Sequence, residues 1–168
     1  RTFPQYLIFK PAMIITSVLL IGYWKNTNSL INNFEGTNIN YLFKFFGIGS
    51  AIFLVIHSIF LGLEFDIKIV KLLRRVILLG FILFEIIAQA LLIYCFYKIK
   101  KRIRNYYSTL ILKLKTFLVS MLLTVALITM PILGSENYTH FKHALEWNYF
   151  IGIILFYFLT NLFWKRTT

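Results

Sequence analysis

Apolar residues run almost unbroken through this chain, and polar ones gather in short stretches between five apolar segments. These cover about 5–24, 41–63, 76–97, 116–133 and 147–164. Each is close to the ~20 residues that a helix needs to cross a hydrocarbon core. Lipid offers the backbone no hydrogen-bond partners, so each segment is expected to satisfy its own backbone as a helix. After the first segment, KNTNSLINNFEGTNIN is rich in Asn and turn formers and reads as a loop. Pro131 and Gly134 close the fourth segment. Trp147 and Trp164 bracket the fifth, 17 residues apart, or about 25 Å along a helix, the separation of two interfacial aromatic belts. The fold class expected is all-α: a polytopic transmembrane helix bundle of about five spans, forming one domain over 1–168.

Composition makes the membrane reading firm. Hydrophobic residues are 59% of the chain and charged residues 14%, with a mean hydropathy of +0.75. A water-soluble domain of 168 residues has too much surface for its volume to bury that apolar content. Cys95 is the one cysteine, so no intrachain disulfide can form. It reads as a small apolar filler, with palmitoylation as the alternative. The chain begins at Arg1 without a Met, so further residues upstream are expected.

The net charge of +12 is expected to reflect topology. Five spans place the 25–40 loop, the 98–115 segment and the C-terminus on one side. That side carries the densest basic cluster, Lys98, Lys100, Lys101, Arg102, Arg104, Lys113 and Lys115, with no acid among them. The positive-inside rule then puts the C-terminus on the cytoplasmic or matrix side, although the basic 68–75 segment pulls the other way. The cluster reads as an anchor lying against anionic head groups. A nucleic-acid surface is not expected, because this short inter-span segment offers only Tyr106 and Tyr107 as stacking platforms.

Polar residues inside the spans supply the candidate chemistry. Glu85 lies within the third span, with Gln89 one helical turn on. An ionised group at that depth costs about 2.5–3.5 kcal/mol on insertion scales unless it is paired or hydrated. In the second span Gly47, Ser50, Ala51, Leu54, His57, Ser58 and Leu61 recur at three- and four-residue spacing, a stripe suited to close helix packing. Antiparallel neighbours would bring His57 and Glu85 to similar depth, so a direct or water-bridged pair is expected. The 134–146 segment adds His140, His143 and Glu146, which share a face at i, i+3 and i+6. These residues are expected to form a polar pocket toward the outer leaflet. His57, His140 and His143 could hold zinc, although no tight ligand signature such as HExxH is present; no cofactor is specified otherwise, and haem lacks an evident axial partner. Asn137-Tyr138-Thr139 forms a glycosylation sequon. Asn148, Thr160 and Asn161 can hydrogen-bond across helices.

From about residue 76 the chain resembles the Frag1/DRAM/Sfk1 group of small polytopic membrane proteins. The resemblance rests on a span followed by a basic loop, then KTFLVSMLLTVALI, a short outer loop, and HALEWNYFIGIILFYFLTNLFW with Glu146 before the last span and Asn161 near its end. It covers about half of the chain. It departs from the group in having five spans where six are typical, and Trp164 where a His follows the final Asn. The resemblance implies a membrane-lipid or lipid-anchor maturation role and identifies no catalytic residue.

Three functional readings follow. The first is a lipid-associated role, with membrane lipid as partner and a head group held by His57, Glu85, Gln89, His140, His143 and Glu146. The second is a non-catalytic subunit of a larger membrane complex, with the small-residue stripe as the contact to other subunits. The third is a zinc-dependent membrane hydrolase. Whether the chain is an enzyme stays open at this point.

Overall fold

The computed structural model describes residues 4–35, 41–60, 68–104, 106–134 and 139–164; the side chains of 4–6, 35, 41, 68, 69, 71, 130–134 and 139–143 lie outside that description. The described chain forms five helices: α1 Pro4–Glu35, α2 Tyr41–Phe60, α3 Lys68–Ile99, α4 Thr109–Gly134 and α5 Thr139–Phe163. Each contains a segment long and apolar enough to cross a membrane. Leucines, isoleucines and phenylalanines stand exposed along the helices, the surface expected where the surrounding solvent is lipid.

The helices overrun the apolar segments, because a charged residue ends a hydropathy run without ending a helix. α3 begins at Lys68 and α4 at Thr109, each about two turns before its apolar run. The largest correction is in α1. Residues 25–35 read as loop but are helical, because the buried face continues past Trp24. Ser17, Leu20, Trp24, Asn28 and Ile31 are buried at three- and four-residue spacing, one continuous stripe of a helix.

Contacts divide the chain into two compact units, Arg1–Ala88 and Gln89–Thr168, with α3 running through both. In the first unit α1 packs on α2. Of the small-residue stripe of α2, Gly47, Ser50, Ala51, Leu54, His57 and Ser58 are buried, as is Phe43 one turn before it; Leu61 lies outside the described residues. Gly47 admits the indole of Trp24 so closely that a Cβ there would overlap the ring. Gly49 similarly receives Phe84 of α3, at 2.7 Å from where a Cβ would sit. Phe84 also meets Phe46 and Phe53 edge-on at 5.1 Å. Glycine at these positions permits backbone approach that membrane helices otherwise lack a hydrophobic force to obtain.

In the second unit α4 and α5 form an antiparallel pair. Lys115, near the start of α4, bonds Thr160, near the end of α5, at 2.7 Å. Towards the other end, the hydroxyls of Thr129 and Tyr149 share a hydrogen bond of 3.2 Å. Gly152 takes Leu122 against its backbone.

Candidate functional site

Glu85 falls near the middle of the apolar stretch of α3 and is fully buried. A side chain that meets it from α2 is Ser50, whose Oγ donates to Glu85 Oε2 at 2.6 Å. The same hydroxyl lies 2.8 Å from the Gly47 carbonyl oxygen, so the carboxyl sits one turn from the glycine that receives Trp24. His57 is seven residues beyond Ser50 on α2, about 10 Å along the axis. It is also buried, as is Gln89 on α3. A partner that the packing gives Glu85 is thus a serine of the small-residue stripe, two turns from the histidine that the sequence suggested.

His140 and His143 lie in the first turns of α5, and their side chains are outside the described residues, as is the 135–138 connection. Glu146 is half-buried on the next turn. Among the described residues no group of three His, Cys, Asp or Glu side chains is placed to hold a metal ion. Cys95 is buried, which suits the apolar filler reading. Thr160 does reach across to a neighbouring helix, whereas Asn148 donates back to the Ala144 carbonyl of its own helix.

A second polar assembly forms where α3 ends and α4 begins, wholly within unit two. The connection is short and fixed. Arg102 and Ile103 donate their backbone N–H groups to the Ile99 carbonyl at 2.9 and 3.3 Å, and Tyr106 donates to Ile103 at 2.9 Å. Ile103 is fully buried, so an apolar anchor holds the middle of the turn while Arg102 and Arg104 on either side stay exposed. Tyr107 is buried and stacks on Phe163, with ring centroids 5.3 Å apart and planes at 24°. The Ser108 N–H donates to the Phe163 carbonyl at 2.9 Å, and Tyr107 forms an antiparallel bridge with Trp164. The Ser108 carbonyl accepts from Leu112 at 3.1 Å, which makes Ser108 the N-cap of α4.

This turn frames a half-open cleft of about 350 Å³. Its cationic walls are Lys100, Lys101, Arg104 and Lys113; Tyr97, Tyr107 and Thr109 supply hydroxyls, and Leu112 closes the base. All four cations are exposed. Among the described residues no carboxylate lines the cleft. Lys100 lies 5.7 Å from the Tyr97 ring centroid, a cation–π distance. Thr109 opens a 26-residue helix, whose first-turn N–H groups have no partners within the helix and favour negative charge. A rigid turn, four positive side chains and a helix N-terminus converge on a space that an anion can enter.

Sequence reasoning placed Lys115 with the head-group contacts, and here the structure corrects it. Lys115 is fully buried. Its Nζ donates to Thr160 Oγ1, whose own hydroxyl donates to the Phe156 carbonyl at 2.9 Å. The ammonium lies 3.9 Å from the Phe156 ring centroid, 5.5 Å from Phe163 and 5.7 Å from Phe96. Lys113 and Lys115 are two residues apart, so they point to opposite faces of a helix. One lines the cleft and the other enters the helix pair. A readable signal existed: Leu112, Lys115, Val119 and Leu122 follow helical spacing and all are buried.

No family model, curated protein or solved structure matches the chain.

Proposed function

We propose that this multi-pass membrane protein has a lipid-associated role and holds an anionic lipid head group in the cleft between the end of α3 and the start of α4. The observation that carries the reading is the set of Lys100, Lys101, Arg104 and Lys113 around a space of about 350 Å³ with no carboxylate lining it among the described residues. Basic pockets at the ends of membrane helices attract anionic head groups, each Lys or Arg near the surface contributing about 1 kcal/mol. Arg104 can grip a phosphate through two parallel hydrogen bonds, and the lysines act as point charges. The same cluster dominates the charge asymmetry of the loops, so the reading carries the C-terminus to the cytoplasmic or matrix side. A lipid role is also what the resemblance to the Frag1/DRAM/Sfk1 group implies.

The head-group contact is thereby moved from the His57 and Glu85 region to the 97–113 cleft. The reading as a subunit of a larger complex drew on the small-residue stripe of α2. Two positions of that stripe are engaged inside unit one, Gly47 by Trp24 and Ser50 by Glu85.

The test is native mass spectrometry of the full chain, extracted in mild detergent and exposed to equal amounts of phosphatidylglycerol and phosphatidylcholine. The proposal expects selective retention of the anionic lipid, abolished when Lys100, Lys101, Arg104 and Lys113 are all changed to Gln. Equal retention of the two lipids, or unchanged selectivity in the fourfold variant, would refute it.

A further inference from the structure

We infer that the anion taken by the cleft is multiply phosphorylated, carrying at least two phosphate groups. This deepens the head-group reading above and rests on it. The argument is one of charge matching in a confined space. Among the described residues four cationic side chains line the cleft and no acid does. From residue 86 through 135 the chain contains seven Lys and Arg and not one Asp or Glu. In unit two the only acids in the sequence are Glu136 and Glu146, beyond the far end of α4 and near the start of α5. Glu146 is 17 residues from Phe163, about 25 Å along the helix and beyond a Debye length of about 8–10 Å. Neither the lining nor the neighbouring turns of unit two therefore neutralise the site.

A head group with one phosphodiester brings a single negative charge and leaves most of the four uncompensated. A phosphomonoester brings about −1.5 to −2 at neutral pH, so two of them bring about −3 to −4, close to the lining charge. The geometry is consistent with two acceptor clusters. Lys100 and Lys101 stand at the end of α3, while Lys113 stands one turn into α4 beside Thr109. Arg104 comes from the turn that links them. The volume lies at the low end of small-molecule sites, about 300–1,000 Å³, which suits a compact polyphosphorylated group rather than a large glycan.

The shared chemistry is that of a lipid head group or a soluble polyphosphate, and the experiment separates the two. The full chain is placed in phosphatidylcholine nanodiscs doped equally with phosphatidylglycerol or with phosphatidylinositol bisphosphate, and lipid occupancy is measured. Soluble inositol trisphosphate is titrated in parallel into undoped discs. The inference expects the bisphosphate lipid to be retained at least about tenfold over phosphatidylglycerol, the scale of one or two further matched charges. The preference is expected to collapse in the Lys101→Gln, Lys113→Gln variant, whose altered side chains are exposed. Binding of inositol trisphosphate as tight as that of the lipid supports a polyphosphate site and assigns it to a soluble ligand. Phosphatidylglycerol and the bisphosphate lipid bound equally, both above phosphatidylcholine, would overturn this inference and leave the head-group reading standing. No preference for either anionic lipid and no binding of inositol trisphosphate would overturn both. Should the double variant not purify as a folded chain, Lys101→Gln alone is compared, with a reduced preference expected and an unchanged one counting against the site.

Discussion

Removing the hydroxyl of Thr160 should destabilise the protein more than removing the lysine that it serves. Lys115 is fully buried and donates a hydrogen bond to Thr160 Oγ1 at 2.7 Å. The rings of Phe156, Phe163 and Phe96 also lie against its ammonium. A hydrogen bond to a charged group contributes about 1.5–3 kcal/mol, and losing its acceptor leaves the buried ammonium with only the aromatic rings to offset its desolvation. Thr160→Val keeps the shape and deletes that acceptor, so it should cost about 1.5–3 kcal/mol. Lys115→Met keeps most of the stem volume and deletes the charge. It forfeits the cation–π attraction, about 1–2 kcal/mol for a desolvated cation, but it also abolishes the cost of burying the ammonium. Replacing buried ionic groups by apolar ones of similar size is often neutral or stabilising by about 1–4 kcal/mol. The net expectation is a stability within about 1 kcal/mol of the parent. In the double variant no ammonium remains to be stranded by the lost hydroxyl, so the double should match Lys115→Met. The coupling energy of the cycle should then be about 1.5–3 kcal/mol.

Unfolding of the purified chain in mixed micelles by increasing mole fraction of dodecyl sulfate, followed by circular dichroism, measures all four corners. A Thr160→Val variant as stable as the parent would refute the reasoning. So would simple additivity of the two substitutions, because either result means that the ammonium does not depend on that hydroxyl.

Other outcomes follow from the same packing. Gly47→Ala should cost about 1–3 kcal/mol in that unfolding assay, because a Cβ there overlaps the Trp24 indole, whereas Gly22→Ala should be neutral or slightly stabilising, since nothing lies within 4 Å of its Cβ position. Glu85→Gln should be tolerated, as it keeps a polar atom for Ser50 without a charge, while Glu85→Ala should cost about 2–3 kcal/mol through the cavity it leaves; equal stability of the two would refute that account. In a Cys95→Ala background, a cysteine placed at exposed Lys101 should react with an impermeant maleimide only from the cytoplasmic or matrix side, and labelling from the opposite side would invert the topology.

The number and type of the spans were legible because a run of about 20 apolar residues has one stable form in lipid. The α2 face was legible for a related reason: a stripe of small and polar residues at three- and four-residue spacing can be buried only against another helix. The ends of the helices were not legible. Residues 25–35 look like a loop by composition, yet Asn28 and Ile31 continue the stripe begun by Ser17, Leu20 and Trp24, and burial of that face overrides the weak helix propensity of asparagine. The contact between Ser50 and Glu85 was missed because a depth argument identifies a neighbouring helix without fixing the turn. His57 and Ser50 occupy the same stripe, and depth alone does not choose between its turns.

The two buried ionisable groups differ from the exposed cations in a way that bears on function. A charged residue within an apolar run draws attention because its burial is costly. Glu85 and Lys115, however, each have a hydroxyl placed by a neighbouring helix at 2.6 and 2.7 Å. Both are thereby tied into helix–helix packing. Lys100, Lys101, Arg104 and Lys113 present the opposite case. Ile103 and the Tyr107–Phe163 stack hold the intervening backbone, so the four cations are gathered on a fixed turn despite their mutual repulsion. Concentrating like charge in this way costs stability unless something outside the turn offsets it. A hydropathy profile gives most weight to the charge that is hardest to bury, whereas a binding site is better sought where the fold has assembled charges and left them facing an open space.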